Sequence, residues 1–161
     1  MPVLVKSGWW PEGRLSQLEE ILPVPVRKFA IDLTDREQLA ELETALQNEQ
    51  PDVKILVNAS GYGKMGRVGS VSTEEETEMV RLNCEALCAV THMVLPYMSK
   101  NSRIIQYASS ASFLPQPGFA IYAATKSFVL SYSLALGEEL KGRGICVTAV
   151  CPGPVKTEFF D

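Results

Sequence analysis

The chain has 161 residues, of which 46% are hydrophobic and 21% charged, with a formal net charge of −4, proportions that suit one ordinary globular domain. The acidic balance and the lack of a Lys/Arg run argue against a nucleic-acid or anionic-membrane partner. No apolar run approaches the roughly 20 residues of a membrane helix, and the opening MPVLVKSGWWPEG lacks the apolar core of a secretory signal.

Residues 2–5, PVLV, form a short apolar run that reads as a strand. Leu15, Leu18 and Leu22 recur at helical spacing across 13–22. Residues 24–33, VPVRKFAIDL, alternate and are rich in β-branched residues, which predicts a second strand. Thr34 with Glu37 makes a capping-box pattern ahead of a helix whose apolar face is Leu39, Leu42 and Leu46. VKILVNAS at 53–60 is a third strand, followed by the glycine-rich loop GYGKMGRVGS. Ser72 with Glu75 is a second capping box, and the Glu-rich first turn after it complements the helix dipole. That helical pattern ends near Pro96. RIIQYASS at 103–110 is a strand, and IYAATKSFVLSYSLALGEELKGRG is a long helix stopped by Gly142 and Gly144. ICVTAVCPGPV is a last strand that breaks at Pro152-Gly153.

Strands therefore alternate with helices, and the strands are continuous apolar runs, as expected when helices cover both faces of a parallel sheet. The layout predicts a doubly wound α/β fold in a single domain over 1–161, with ligands bound beyond the carboxyl ends of the strands. Three of those ends carry chemistry: NASG, ASSAS and CPGPVKT. Cys84 and Cys88 share a helical pattern, while Cys146 and Cys151 share a strand pattern. All four read as small buried hydrophobes of a reducing cytoplasm. A metal site is not expected, because the chain has one His and no second cysteine pair to join Cys84 and Cys88.

Tyr122 and Lys126 are four residues apart and share a helix face. A nearby ammonium favours an ionised tyrosine and brings its pKa toward the working pH of a general acid or base. Alone, the pair reads as a surface pair. Ser109 lies 13 residues earlier at a strand end, across a Pro- and Gly-bearing loop that can bring both hydroxyls to one point. Ser109 then either holds a carbonyl oxygen or merely ends the strand. Asn83 sits among apolar neighbours in a helix, either as a structural amide with its partners or as the holder of a water in a proton relay.

DLTD at 32–35, LVNASG at 56–61, RLNCEAL at 81–87, YASSASFLPQPGFAIYAATK at 107–126 and CPGPVKT at 151–157 together resemble the short-chain dehydrogenase/reductase family, in order and in separation, over most of the chain. The resemblance implies a Rossmann-like, NAD(P)-dependent oxidoreductase that interconverts a carbonyl and an alcohol. It makes Tyr122 the general acid/base and Ser109 the group that polarises the substrate oxygen. Lys126 would lower the tyrosine pKa and hold the nicotinamide ribose, and Asn83 would complete a proton relay. It places Asp32 and Leu33 at the adenine, and Asn58, Ala59, Ser60 and Gly61 along the cofactor cleft. Pro152, Gly153, Val155 and Thr157 would meet the nicotinamide end. Lys6, where the family's second strand ends, with Arg14 beyond it, favours NADP over NAD. The helix KSFVLSYSLALGEEL is apolar on more than one face, so one face covers the sheet and the other meets either another element of the chain or a partner; the family habit of pairing subunits through two long helices favours a homodimer or higher.

The chain departs from the family pattern in ways that carry expectations. Its first strand resembles the family's second, and the family's first strand and Thr-Gly-x-x-x-Gly-x-Gly loop have no counterpart. The sheet is expected to be incomplete, holding family strands 2 to 6 with two open edges. The glycines at 61, 63 and 66 do not replace the phosphate loop, since no helix opens directly after them. The family's C-terminal substrate region is missing after EFFD, and Ala59 stands where a second asparagine is usual. The chain as given is expected to bind cofactor weakly or not at all. The competing expectation is a non-catalytic Rossmann-like remnant acting as an interaction module. SFLPQPGFAI is fairly apolar and allows a hydrophobic ketone, an acyl thioester or a steroid-like substrate.

Overall fold

A computed structural model describes residues 3–6, 20–21 and 27–154. The contacts divide the chain into two compact units, Met1–Pro51 and Asp52–Asp161, where the sequence predicts one domain over 1–161. The reason lies in strand pairing. Among the described residues β1 (Val3–Lys6) pairs only with β2 (Arg27–Ala30), and a separate sheet has the order β3 (Val53–Asn58), β4 (Met98–Tyr107), β5 (Cys146–Val150). All of these pairs are parallel. The sheet is incomplete, as the family pattern implies.

In the first unit, Lys6 lies opposite Ala30 at the carboxyl end of the pair. Helix α1 (Arg36–Glu49) buries Leu39, Leu42 and Leu46, the face its periodicity predicts. Its cap is Asp35 and not Thr34: the Asp35 carboxylate accepts the N–H groups of Glu37 and Gln38. A carboxylate outcompetes a hydroxyl at a helix N-terminus because it adds charge to the hydrogen bond. Thr34 instead donates its hydroxyl to Asp32 at 2.8 Å. The helix predicted over 13–22 lies outside the described residues except for Glu20 and Ile21.

In the second unit, helix α2 (Thr73–Val80) begins at Ser72, whose hydroxyl accepts the Glu75 N–H at 3.2 Å, as the capping box predicts. It runs into a π-helical turn (Arg81–Ala86), then helix α3 (Leu87–Val94) and a 3-10 turn (Leu95–Tyr97). Pro96 in that last turn ends the helical run. Helix α4 (Ala120–Leu140) passes through a 3-10 turn to Gly144, which takes a left-handed φ of 67°.

Side chains on β4 alternate sharply. Ser102, Ile104 and Gln106 are completely buried, while Arg103 and Tyr107 are exposed. Ile55 pairs with Arg103 and Val57 with Ile105, so these two share the open face and are 57% and 50% exposed. Within this unit, helices bury the face that carries Ser102, Ile104 and Gln106. The cysteines follow the same geometry. Cys84 is buried, Cys88 and Cys151 are half-buried, and Cys146 is exposed because it lies on the open face beside Arg103. The expectation of four buried thiols is corrected to one. Among the described residues no helix is long and apolar enough to cross a membrane.

Candidate active site

The carboxyl ends of β3, β4 and β5 converge on a cavity of about 370 Å³, where a parallel sheet is expected to place a ligand. Ser109 leaves β4 and caps a 3-10 turn (Ser110–Phe113), its Oγ accepting the Ala111 N–H at 3.2 Å. The Ser110 N–H donates to the Pro152 carbonyl at 2.9 Å and draws the Pro152-Gly153 segment after β5 onto the site. Ser112 Oγ donates to the Lys126 carbonyl at 2.8 Å, and Ser127 Oγ donates to the Ser112 carbonyl at 2.9 Å. These two bonds tie the loop to α4, and they explain how Ser109 meets Tyr122 in space. Both hydroxyls line the cavity.

Tyr122 is 6% exposed and Lys126, one turn later, 5%. The Lys126 ammonium lies 5.7 Å from the Tyr122 ring centroid and donates to the Tyr107 carbonyl at 2.8 Å. Burial dominates both groups. It raises the Tyr122 pKa above the ordinary phenol value, with the Ser109 hydrogen bond pulling the other way. It lowers the Lys126 pKa to about 8, opposed by the nearby Cys84. The Tyr122 shift is thus set by desolvation of the phenolate, and Ser109 is the group that opposes it.

Asn83 sits in the π-helical turn and is 1% exposed. Its amide accepts the Tyr62 N–H at 3.0 Å and donates to the Tyr62 carbonyl at 2.9 Å and to Thr125 Oγ1 at 3.0 Å. The side chain thus fixes the loop after β3 and braces α4. Gly61 lies against it: a Cβ there would stand 2.7 Å from Asn83 Oδ1 and 3.5 Å from Lys126 Nζ.

Of the residues expected from the sequence, Ala59, Gly61, Ser109, Tyr122, Lys126, Pro152 and Gly153 line the cavity. Asn58 does not. Strand alternation turns it to the covered face, where Nδ2 donates to Thr91 Oγ1 and Gln106 Oε1, both at 2.9 Å. Ser60 is also absent from the lining. Asp32 and Leu33 belong to the first unit. Leu33 is buried, and the Asp32 carboxylate accepts both the N–H and the hydroxyl of Thr34. Val155 and Thr157 lie outside the described residues, as does Arg14. Sequence reasoning missed Tyr107, Ala108, Gln116 and Phe119. Phe119 had a signal: it lies three residues before Tyr122, at the start of the same helix.

The residues present fit the nicotinamide end of a dinucleotide: hydroxyls and an ammonium at Ser109, Tyr122 and Lys126, beside the close-approaching Gly61. The glycine-rich loop offers no phosphate cradle. The helix that follows it begins only at Thr73, and its first turn holds Glu74, Glu75 and Glu76, which repel an anion.

The short chain dehydrogenase profile matches residues 11–161. The chain is 34% identical over 164 residues to a serine 3-dehydrogenase of Agrobacterium fabrum, covering 96% of this chain and 66% of that one. A short-chain dehydrogenase of Sphingobium yanoikuyae in complex with NADPH superposes with a TM-score of 0.84 at 32% identity, covering 98% of this chain and 63% of that one. A bulky-bulky ketone specific alcohol dehydrogenase of Comamonas testosteroni gives 0.82 at 30% identity, with 99% and 65% covered. The chain spans less than two thirds of the length of these proteins. With this match over nearly its whole length and Ser109, Tyr122 and Lys126 gathered at one cavity, the chain belongs to the short chain dehydrogenase family.

Proposed function

We propose that the full-length protein is an NADPH-dependent reductase of a small-molecule carbonyl, with Tyr122 as proton donor. The observation that carries this reading is the gathering of the Ser109 and Tyr122 hydroxyls at one cavity, with Lys126 beside them. The nicotinamide, when bound, supplies the hydride. Ser109 holds the substrate oxygen by hydrogen bonding and polarises it. Tyr122 Oη gives that oxygen its proton. A phenol whose pKa is raised by burial stays protonated at neutral pH, which suits donation. Lys126, with one of its N–H groups on the Tyr107 carbonyl, has two donors left for the ribose and the proton path. Asn83 supports that path by holding Tyr62 and Thr125 in place.

The preference for NADPH rests on Lys6 at the end of β1 and on the NADPH complex of the Sphingobium relative. Asp32 and Leu33 remain the proposed adenine contacts, with Asn58 and Ser60 supporting the cleft. Val155 and Thr157 are the proposed partners at the nicotinamide end. The free thiols suit a reducing cytoplasm. Pairing of two copies through their long helices places the exposed Phe128 and Leu134 of α4 at the interface.

The test is NADPH oxidation in the presence of carbonyl substrates. Tyr122→Phe should lower kcat by about 10²–10⁴-fold with little change in KM and an unchanged circular dichroism spectrum. Full activity in that variant excludes the reading. A second reading, a cofactor-free interaction module, is favoured by the missing phosphate cradle and the acidic turn at Glu74–Glu76. Calorimetric titration of the 161-residue chain separates the two, because saturable micromolar NADPH binding excludes the module.

A further inference from the structure

We propose that Thr125 is a positioning residue, whose hydroxyl locks the α4 turn carrying Tyr122 and Lys126 to Asn83, and through Asn83 to the loop after β3. The inference rests on the carbonyl-reductase reading and adds a residue to its machinery. Thr125 lies immediately before Lys126 in α4, is 3% exposed and does not line the cavity. It therefore acts on the reaction only through the groups that it holds.

Those groups fix the hydroxyl in one orientation. Thr125 Oγ1 donates to the Tyr122 carbonyl at 2.8 Å and accepts Asn83 Nδ2 at 3.0 Å. A hydroxyl has a single hydrogen to give, so the bonds run one way, from amide to hydroxyl to carbonyl. In an α-helix that same carbonyl accepts the N–H four residues on, which here is that of Lys126. The Thr125 hydroxyl thus meets the main-chain link that Tyr122 and Lys126 share.

The far end of the lock is equally committed. Asn83 Nδ2 also donates to the Tyr62 carbonyl at 2.9 Å, and Asn83 Oδ1 accepts the Tyr62 N–H at 3.0 Å. With Thr125, these bonds use both amide hydrogens of Asn83 and hold the amide against a flip. The neighbouring Gly61 closes the circuit, since a Cβ there would stand 2.7 Å from Asn83 Oδ1 and 3.5 Å from Lys126 Nζ. Loop, π-helical turn and α4 are therefore joined around the Lys126 ammonium, with Thr125 as the joint on α4. Slippage of α4 against the loop would carry Tyr122 Oη away from a carbonyl held by Ser109. A displacement of about 1 Å can cost about 10²-fold in rate.

Three substitutions separate hydroxyl from methyl. Thr125→Val keeps the shape and loses the hydroxyl, Thr125→Ser keeps the hydroxyl and loses the methyl, and Thr125→Ala loses both. NADPH oxidation is followed with benzaldehyde and with ethyl acetoacetate, on variants whose circular dichroism matches the wild type. Thr125→Val and Thr125→Ala should lower kcat by about tenfold or more with KM within about twofold, while Thr125→Ser stays within about threefold of the wild type. A position that serves packing alone gives the reverse order, with Val active and Ser impaired. That order, a loss carried by KM, or equal activity in all variants overturns the proposal and leaves the reductase reading intact. If Thr125→Val does not fold, the Ser and Ala variants decide, because they differ only in the hydroxyl. If the wild-type protein reduces neither carbonyl, the reductase reading falls, and hydrogen exchange at the Tyr62 amide decides the lock. Faster exchange in Thr125→Val and Thr125→Ala than in Thr125→Ser supports it, and equal exchange in the three overturns it.

Discussion

Lys126 shows how one side chain can be costly for folding and retained for chemistry. Its pKa falls to about 8 from 10.5 because burial penalises the ammonium. Below pH 8 the lysine is charged in both the folded and unfolded states, and the burial penalty is fully present. Between pH 8 and 10.5 the unfolded chain binds more protons, so stability rises with pH; above 10.5 the penalty is gone. The shift corresponds to about 3 kcal/mol. Lys126→Met should therefore raise the melting temperature at pH 7, and this advantage should shrink as the pH passes from 8 to 10.5. A constant difference across that range would show that the lysine is not charged when buried. The same substitution should abolish activity.

The π-helical turn at Arg81–Ala86 is the element on which the site depends most. It places Asn83 beside the loop after β3, where the amide holds both backbone groups of Tyr62. Such turns frequently mark functional positions inside helices. Gly61→Ala would drive a Cβ to 2.7 Å from Asn83 Oδ1. The amide would have to move, at a cost of about 1–3 kcal/mol for the hydrogen bonds it loses. Asn83→Ala should destabilise by a similar amount and speed hydrogen exchange at the Tyr62 amide, while amides in the interior of β4 keep their protection. Equal acceleration in both places would mean that Asn83 supports the whole unit and not the loop.

Across the whole molecule, the exposed apolar groups among the described residues include two surfaces of regular elements, besides Phe113 and Leu114 in the loop before α4. One is the face of the β3–β5 sheet that carries the exposed Ile55 and Val57. The other is the outer side of α4, where Leu134 is 65% exposed and Phe128 stacks on Tyr132 with centroids 6.0 Å apart. Apolar groups grouped on one helix surface suit a helix–helix interface. On the proposed pairing through α4, Leu134→Glu should shift the protein from dimer to monomer in sedimentation velocity without changing its circular dichroism. An unchanged dimer would move the interface away from α4.

The order of strands and helices followed from the sequence alone, because helical periodicity, capping residues and short apolar runs are local signals. Ser72, the face of α1 and the long α4 are where those signals put them. The Ser109–Tyr122–Lys126 constellation was legible because motif spacing survives in a linear chain. What only the tertiary structure decided depends on approach through space. It turned Asn58 away from the cavity and set Phe119 against Tyr122. It directed Asn83 to the loop and buried the Tyr122 phenol. Burial and packing belong to neighbours distant in sequence, and desolvation can outweigh a charge that spacing alone would place within reach.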